Sequence, residues 1–174
     1  MNLQAIIALP RTLAIAGTLL LAGCVSYSGS NLVSGVSTAA DVEATMGKPA
    51  ETRALAGGGS VWYYPRGPIG RHTYVVTLGA DDVVRGVDQR LAEEYFKQVV
   101  PGTSNMKQVR ELLGPPHEAA RYARQKRTVW QYRTLRVAER RLFFVDFSDD
   151  GVVLEVLNKH DDRFEDGPSD SARP

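Results

Sequence analysis

Residues 35–49 read GVSTAADVEATMGKP, and residues 102–116 repeat the same pattern as GTSNMKQVRELLGPP. The shared glycines, serine, valine and proline lie 67 positions apart, and later matches follow at offsets of 68 and then 69. Those later pairs are Trp62/Trp130, Tyr64/Tyr132, Tyr74/Phe143, Val76/Val145, Leu78/Phe147, Val83/Val152, Val84/Val153 and Val87/Val156. Because the offset changes by one residue and only between blocks, the sequence predicts two copies of one folded unit, with insertions confined to loops.

Each copy is predicted to begin with a short amphipathic helix. Ser37 and Ser104 stand at the expected N-cap positions, and apolar residues follow at spacings of three and four. Those apolar residues are Ala39, Val42 and Met46 in copy one and Met106, Val109 and Leu113 in copy two. Gly47 and Gly114 then take the C′ position, and a proline two residues later blocks continuation.

Three β-strands are predicted after each helix. Their ranges are 61–64, 73–78 and 83–87 in copy one and 129–132, 142–147 and 152–156 in copy two. Between the copies, Leu91, Tyr95, Phe96 and Val99 recur at helical spacing and predict a longer helix that opens the second unit. The expected fold class is therefore α+β, with two tandem units that each pack helices on a three-stranded antiparallel sheet.

The N-terminus is typical of an export signal. Arg11 precedes a short apolar run over 12–21, which is too short to span a bilayer as a helix, and Leu21-Ala22-Gly23-Cys24 follows. Cys24 is the single cysteine of the chain, so it has no disulfide partner within it. We predict that Cys24 is lipidated after cleavage, which anchors the protein to a membrane through its N-terminus.

The sequence divides into five predicted segments: a signal peptide at 1–23, a tether at 24–34, repeats at 35–88 and 89–158, and a disordered acidic tail at 159–174. Removal of residues 1–23 takes away Arg11 and no acid, so 21 basic and 20 acidic residues become 20 of each. A neutral exported chain is a poor candidate for nucleic-acid binding.

The residue inventory argues against an enzyme. His72, His117 and His160 are far apart in the sequence and show no metal-ligand spacing, and a lipidated Cys24 cannot act as a nucleophile. The glycines at 57–59 are not followed by the residues of a phosphate-binding loop. We therefore expect no catalytic residues, no metal, no cofactor and no small-molecule substrate.

Two residue groups stand out as structural or binding candidates. The aromatic pairs alternate with other residues at strand spacing, which favours a role in the core. They are Trp62, Tyr64, Trp130 and Tyr132. The second group, in a basic stretch over 121–141, is predicted to form a docking surface on the first hairpin of copy two for lipid headgroups or an acidic partner. Its members are Arg133, Arg136, Arg140 and Arg141.

The order of these motifs resembles the SmpA/OmlA (BamE-like) outer-membrane lipoproteins. The resemblance rests on the lipobox, the G-x-S-x-x-x-x-V-x-x-x-x-G-x-P helix, the W-x-Y strand and the D-G-V-V strand, and it covers about 35–87 and 91–157. It implies helices packed on a three-stranded sheet and a periplasm-facing accessory or structural role in outer-membrane protein assembly or envelope integrity, with the β-barrel assembly machinery among the expected partners. Val25 after Cys24 is not an acidic retention signal, so the resemblance also implies the outer membrane.

A second resemblance offers an alternative role. Tandem units of this shape are similar to the secreted β-lactamase inhibitory proteins, which implies an inhibitor or another periplasmic protein-binding module. Those inhibitors carry disulfides, whereas this chain has a single cysteine, Cys24. A membrane anchor also suits a diffusing inhibitor poorly.

Overall fold

The computed structural model describes residues 28–66, 71–136 and 139–162. Its helices and strands are, in chain order, α1 (Ala39–Met46), β1 (Glu51–Ala54), β2 (Ser60–Arg66), β3 (His72–Leu78), β4 (Val84–Gln89), α2 (Glu93–Phe96), α3 (Met106–Leu113), β5 (Glu118–Tyr122), a short 3₁₀ helix (Ala123–Gln125), β6 (Arg127–Arg136), β7 (Glu139–Phe147) and β8 (Val153–His160). Strands β1–β4 form one antiparallel sheet in sequence order, here called sheet one, and β5–β8 form sheet two.

The predicted fold class is wrong, because sheet dominates the molecule and each copy has four strands. The additional strands are β1 and β5, which lie at the sheet edges and pair with β2 and β6. Their residues are mostly polar and half-buried or exposed, so they lack the apolar alternation that identifies a strand in a sequence. The helices are short by comparison: α1 and α3 have eight residues each, and α2 has four.

The helix starts differ by one residue from the prediction. Thr38 and Asn105 are the N-caps, and each forms a reciprocal capping box with the residue three positions later. Ser37 and Ser104 instead accept a hydrogen bond from the backbone N–H four residues earlier, at 2.9 Å in both copies. These serines therefore close the turn that leads into each helix.

The prediction of a long helix between the copies is also wrong. Only Glu93–Phe96 is helical, and its N-cap, Ala92, has no side chain that could cap it. The apolar residues of this segment nevertheless pack into copy two, where the Phe96 ring stacks on Phe143 with centroids 4.2 Å apart. The spacing of the apolar residues therefore predicted correctly that they are buried, but it predicted the wrong backbone conformation for most of the segment.

Each sheet has one hydrophobic core on its helix-bearing face. In copy one the buried core residues are Val42, Met46, Tyr64, Val76, Leu78 and Val84. In copy two they are Leu91, Phe96, Val99, Val109, Leu113, Trp130, Tyr132, Phe143, Val145, Phe147 and Val153. The second core is larger because it includes the segment that connects the copies.

The two copies contact each other through the reverse face of sheet one. Tyr63 and Val75, which face each other across β2 and β3, are buried on the side opposite the core of copy one. The Tyr63 hydroxyl donates to the carbonyl of Glu111 in α3 at 2.9 Å. Beside it, Arg110 donates to both carboxylate oxygens of Glu51, with the shortest distance 2.6 Å. The copies are therefore joined by apolar contact and by ion pairs.

Candidate functional site

The four predicted core aromatics lie on the helix-bearing faces of the sheets. Tyr64 and Tyr132 are buried, Trp130 is 8% exposed, and Trp62 is partly buried against the core of copy one. The Trp130 ring meets the Phe147 ring edge-on, with centroids 4.8 Å apart. All four positions therefore contribute to packing, with Trp62 the most accessible.

The two tyrosine hydroxyls hold the ends of the helices. Tyr64 donates to the carbonyl of Gly47, and Tyr132 donates to the carbonyl of Gly114, both at 3.1 Å. Burial raises the pKa of Tyr64 to about 12, although the nearby Arg66 guanidinium opposes the shift. Burial also raises the pKa of Tyr132. These phenols are neutral hydrogen-bond donors at physiological pH, in the same place in both copies.

The predicted arginine surface is divided between two faces of the β6–β7 hairpin. By register, positions 133 and 140 lie on one face, and positions 136 and 141 lie on the other. Arg140 is exposed near the hairpin end, whereas Arg133 is half-buried. Arg141 donates through Nε to the side chain of Asn158 at 2.8 Å and lies 3.5 Å from Glu139. Register therefore places two of the four positions on each face of the hairpin, and their docking role stays a prediction.

The remaining basic residues of this stretch lie at the opposite end of β6. Arg121 and Arg127 flank the turn between β5 and β6, where Arg121 pairs with Asp149 and Arg127 pairs with Asp146 at 3.1 Å. The turn itself carries two further exposed basic residues, Arg124 and Lys126. The basic stretch is therefore distributed over both ends of a ten-residue strand.

Among the described residues, the face of sheet two opposite its helices carries one buried apolar side chain, Leu142. We call this the outer face; register places on it Tyr122, Val129, Gln131, Phe144, Asp146 and Leu157. Tyr122 is 49% exposed and Leu157 is 38% exposed. A shallow depression of about 570 Å³ lies at one end, lined by Tyr122, Gln125, Arg127, Val129 and Asp146. Apolar, aromatic and charged side chains are thus mixed on one solvent-facing surface.

One buried acid was missed by sequence reasoning. Asp161 is 1% exposed, and its carboxylate lies 4.0 Å from the Arg71 guanidinium of copy one. Its backbone N–H donates to the carbonyl of Arg140 at 2.9 Å. The acidic composition of the C-terminal residues gave no signal for this position, which lies directly after β8. Most of the predicted tail, 163–174, lies outside the described residues.

Cys24 and the predicted signal peptide also lie outside the described residues. Within residues 28–66, 71–136 and 139–162, no three His, Cys, Asp or Glu side chains are grouped so that they could hold a metal ion. None of the described helices has the length and apolar character needed to cross a bilayer.

Comparison with known proteins gives a weak structural similarity. No protein-family model and no curated protein matches the chain. Among solved structures, a DUF4309 family protein (YjgB) from Bacillus subtilis is similar at 16% identity, with 75% of this chain and 83% of that chain covered and a TM-score of 0.29. A similarity this low supports no conclusion about fold or function, so the resemblance to the SmpA/OmlA family stays a prediction.

Proposed function

We propose that the protein is a periplasm-facing outer-membrane lipoprotein, anchored through Cys24, that acts in outer-membrane protein assembly or envelope integrity by binding other envelope proteins. The lipobox supports the anchor. The outer face of sheet two carries the binding role. It presents the exposed side chains of Tyr122, Leu157 and Arg127, and tyrosine and arginine are enriched at protein–protein interfaces.

The contacts between the copies support a role as a fixed binding surface. Several polar groups between the copies have structural partners, such as the Tyr63 hydroxyl on the Glu111 carbonyl. Arg110 and Glu51 form a bidentate pair next to it, and the pKa of Arg110 is raised by these hydrogen bonds. Because these bonds fix copy two against copy one, the outer face of sheet two needs little rearrangement when a partner binds. This lowers the entropic cost of binding.

Photo-cross-linking in intact cells tests the binding role. A photoreactive residue at Tyr122 on the outer face is expected to capture a component of the β-barrel assembly machinery. The matched control replaces Leu55, which is also exposed but lies in a turn of copy one. Equal capture from both positions, or none from position 122, contradicts the proposal. Capture of a soluble periplasmic enzyme at position 122 favours the inhibitor alternative.

Substitution of the lipidation site tests the anchor. Cys24→Ala removes the thiol that would carry the acyl chains, so we expect an unprocessed or mislocalised precursor. Fractionation of membranes, followed by mass spectrometry of the N-terminal peptide, measures both processing and modification. An unmodified Cys24 in membrane-bound wild-type protein contradicts the anchor.

A further inference from the structure

Strand β8 is an edge strand with a long uncovered stretch. The backbone of its first residue, Val153, is held on the open side by Gly102 and Ser104 through two hydrogen bonds of 2.8 Å. Within the described residues, no strand pairs with this side of β8 over 154–160. The equivalent strand β4 is shorter, with six residues against eight, and the Ser34 hydroxyl covers its edge by donating to the Arg85 carbonyl at 2.7 Å.

The backbone groups of this stretch point to solvent at every second residue. The N–H of Asp161 donates to the carbonyl of Arg140 in the ladder with β7, at 2.9 Å. Antiparallel ladders alternate, so residues 155, 157 and 159 also face β7, and residues 156, 158 and 160 face the open edge. The Asn158 carbonyl accepts one hydrogen bond from Arg141 Nη2 at 3.2 Å, and a carbonyl oxygen can accept a second.

Two side chains of opposite charge lie at equal distances on either side of Leu157. Glu155 lies two residues before Leu157 and Lys159 two residues after it, and all three are on the outer face. Neither Glu155 nor Lys159 has an ion-pair partner among the described residues. Leu157 is the midpoint of the uncovered stretch 154–160 and is 38% exposed.

We propose that β8 pairs antiparallel with β8 of a second copy of this chain, with Leu157 on the two-fold axis. In this register Leu157 faces its symmetry mate, and Glu155 of each copy faces Lys159 of the other. Both opposite-charge pairs form at once only when an antiparallel strand of the same sequence is centred on Leu157, which is why a second copy fits this edge. Uncovered edge strands readily pair with other strands, and this one contains no proline over 153–160.

The paired edges join two four-stranded sheets into one of eight strands, with both outer faces on the same side. This inference concerns oligomeric state and does not rest on the proposed function.

Cysteine cross-linking of the full chain in membranes tests the register. Leu157→Cys places two thiols in a non-hydrogen-bonded pair, with Cα atoms about 4.5 Å apart, within disulfide range. The control Glu155→Cys puts them roughly 13 Å apart, which is too far. With copper phenanthroline as oxidant, we expect a dimer linked through position 157 and none through position 155, as identified by mass spectrometry of the linked peptides. Absence of the 157 linkage, or equal linkage at 155, overturns the proposal.

The same experiment separates this proposal from the anchor. A lipidated Cys24 has no free thiol, so wild-type protein should not be cross-linked. A dimer linked through Cys24 contradicts the anchor and has no bearing on β8, because the linked peptides differ.

Charge reversal gives a second test in mild detergent. Glu155→Lys and Lys159→Glu should each weaken dimerisation by about tenfold, since two attractive pairs become repulsive. The double variant Glu155→Lys/Lys159→Glu restores both pairs and should recover wild-type dimerisation, as measured by sedimentation equilibrium. Glu118→Lys, on the exposed edge strand β5, is the matched control and should have no effect. A double variant that remains as weak as the single ones overturns the proposal.

Discussion

Gly47 and Gly114 have nearly the same backbone conformation in different surroundings. Their φ angles are 78° and 80°, with ψ at −169° in both, a region that is almost exclusive to glycine. A Cβ at Gly47 would meet nothing within 4 Å. A Cβ at Gly114 would lie 2.9 Å from Tyr63 Cδ1 and 3.0 Å from Thr73 Cγ2. Backbone conformation alone therefore matters at Gly47, whereas contact between the copies is added at Gly114.

This difference predicts unequal costs for the same substitution. Gly47→Ala should lower the free energy of unfolding by about 1–3 kcal/mol through backbone strain. Gly114→Ala should cost about 1–3 kcal/mol more, because the added methyl group also pushes against Tyr63 and Thr73. Urea unfolding of both variants measures the difference. Equal destabilisation would show that the copies do not pack tightly at Gly114.

The tryptophans should also differ in their contribution to stability. Trp130→Ala removes a buried ring that contacts Phe147, so we expect a loss of about 3–5 kcal/mol. Trp62→Ala should cost about half as much, because Trp62 is only partly buried. Thermal and urea unfolding measure both losses. A Trp130 variant that unfolds like the wild type would contradict its place in the core.

At the scale of the element, the first and last residues of α1 and α3 are determined by capping residues next to them in the sequence. Thr38 and Asn105 cap the first turns, and Gly47 and Gly114 end the last ones. Both caps bond to a backbone N–H three residues later, at 3.3 Å in α1 and 3.0 Å in α3. These caps add to the packing of Val42, Met46, Val109 and Leu113, which supplies most of the stability of helices of only eight residues.

Removal of a cap should weaken its helix by a predictable amount. Asn105→Ala leaves the N–H of Gln108 without its partner and should destabilise the protein by about 1 kcal/mol. Asn105→Asp keeps the acceptor and serves as the control, with stability close to the wild type. Hydrogen exchange within α3 measures the local effect. Faster exchange in the Asp control as well would contradict a capping role.

The strands divide into those that sequence could identify and those that it could not. The predicted strands 61–64 and 73–78 overlap β2 and β3, because both ranges are rich in β-branched and aromatic residues. Strands β1 and β5 were missed because they are edge strands of polar residues that are specified by pairing with β2 and β6. Each pairing joins neighbouring segments of the chain, but the edge strands carry no apolar alternation that would reveal it in the sequence.

The predicted arginine surface also shows what local sequence cannot predict. Sequence reasoning placed Arg133, Arg136, Arg140 and Arg141 together because they are close in the chain. Strand geometry separates them, since adjacent residues point to opposite faces, as do Arg140 and Arg141. The outer face of sheet two draws on three strands, so it became visible only with the register of the whole sheet.

At the scale of the whole molecule, buried tyrosines couple stability to alkaline pH. Burial raises the pKa of Tyr63, Tyr64 and Tyr132 in the folded state above the unfolded value of 10.0, to about 12 for Tyr64. The folded state therefore holds these protons more tightly than the unfolded state. Their contribution to stability is complete below pH 10 and is lost as the pH rises through the folded pKa values.

We thus expect the free energy of unfolding to fall between pH 10 and about 12, in step with the pKa of Tyr64. Urea unfolding at a series of pH values measures the fall, and absorbance at 295 nm follows the ionisation of the phenols. Tyr64→Phe and Tyr132→Phe should each make the pH dependence shallower. Stability that is constant over this range would contradict the burial of the phenols.

The contact between the copies has a consequence for the order in which the chain folds. All four strands of sheet one are complete by Gln89, whereas Glu111 and Gly114 lie more than twenty residues later. When the chain emerges with its N-terminus first, the strands of copy one can pair before those of copy two, because the contacts within its hairpins are local. Until α3 arrives, Tyr63 and Val75 face water as an apolar patch. When the second copy folds, it covers this patch and so prevents the first copy from associating with other chains.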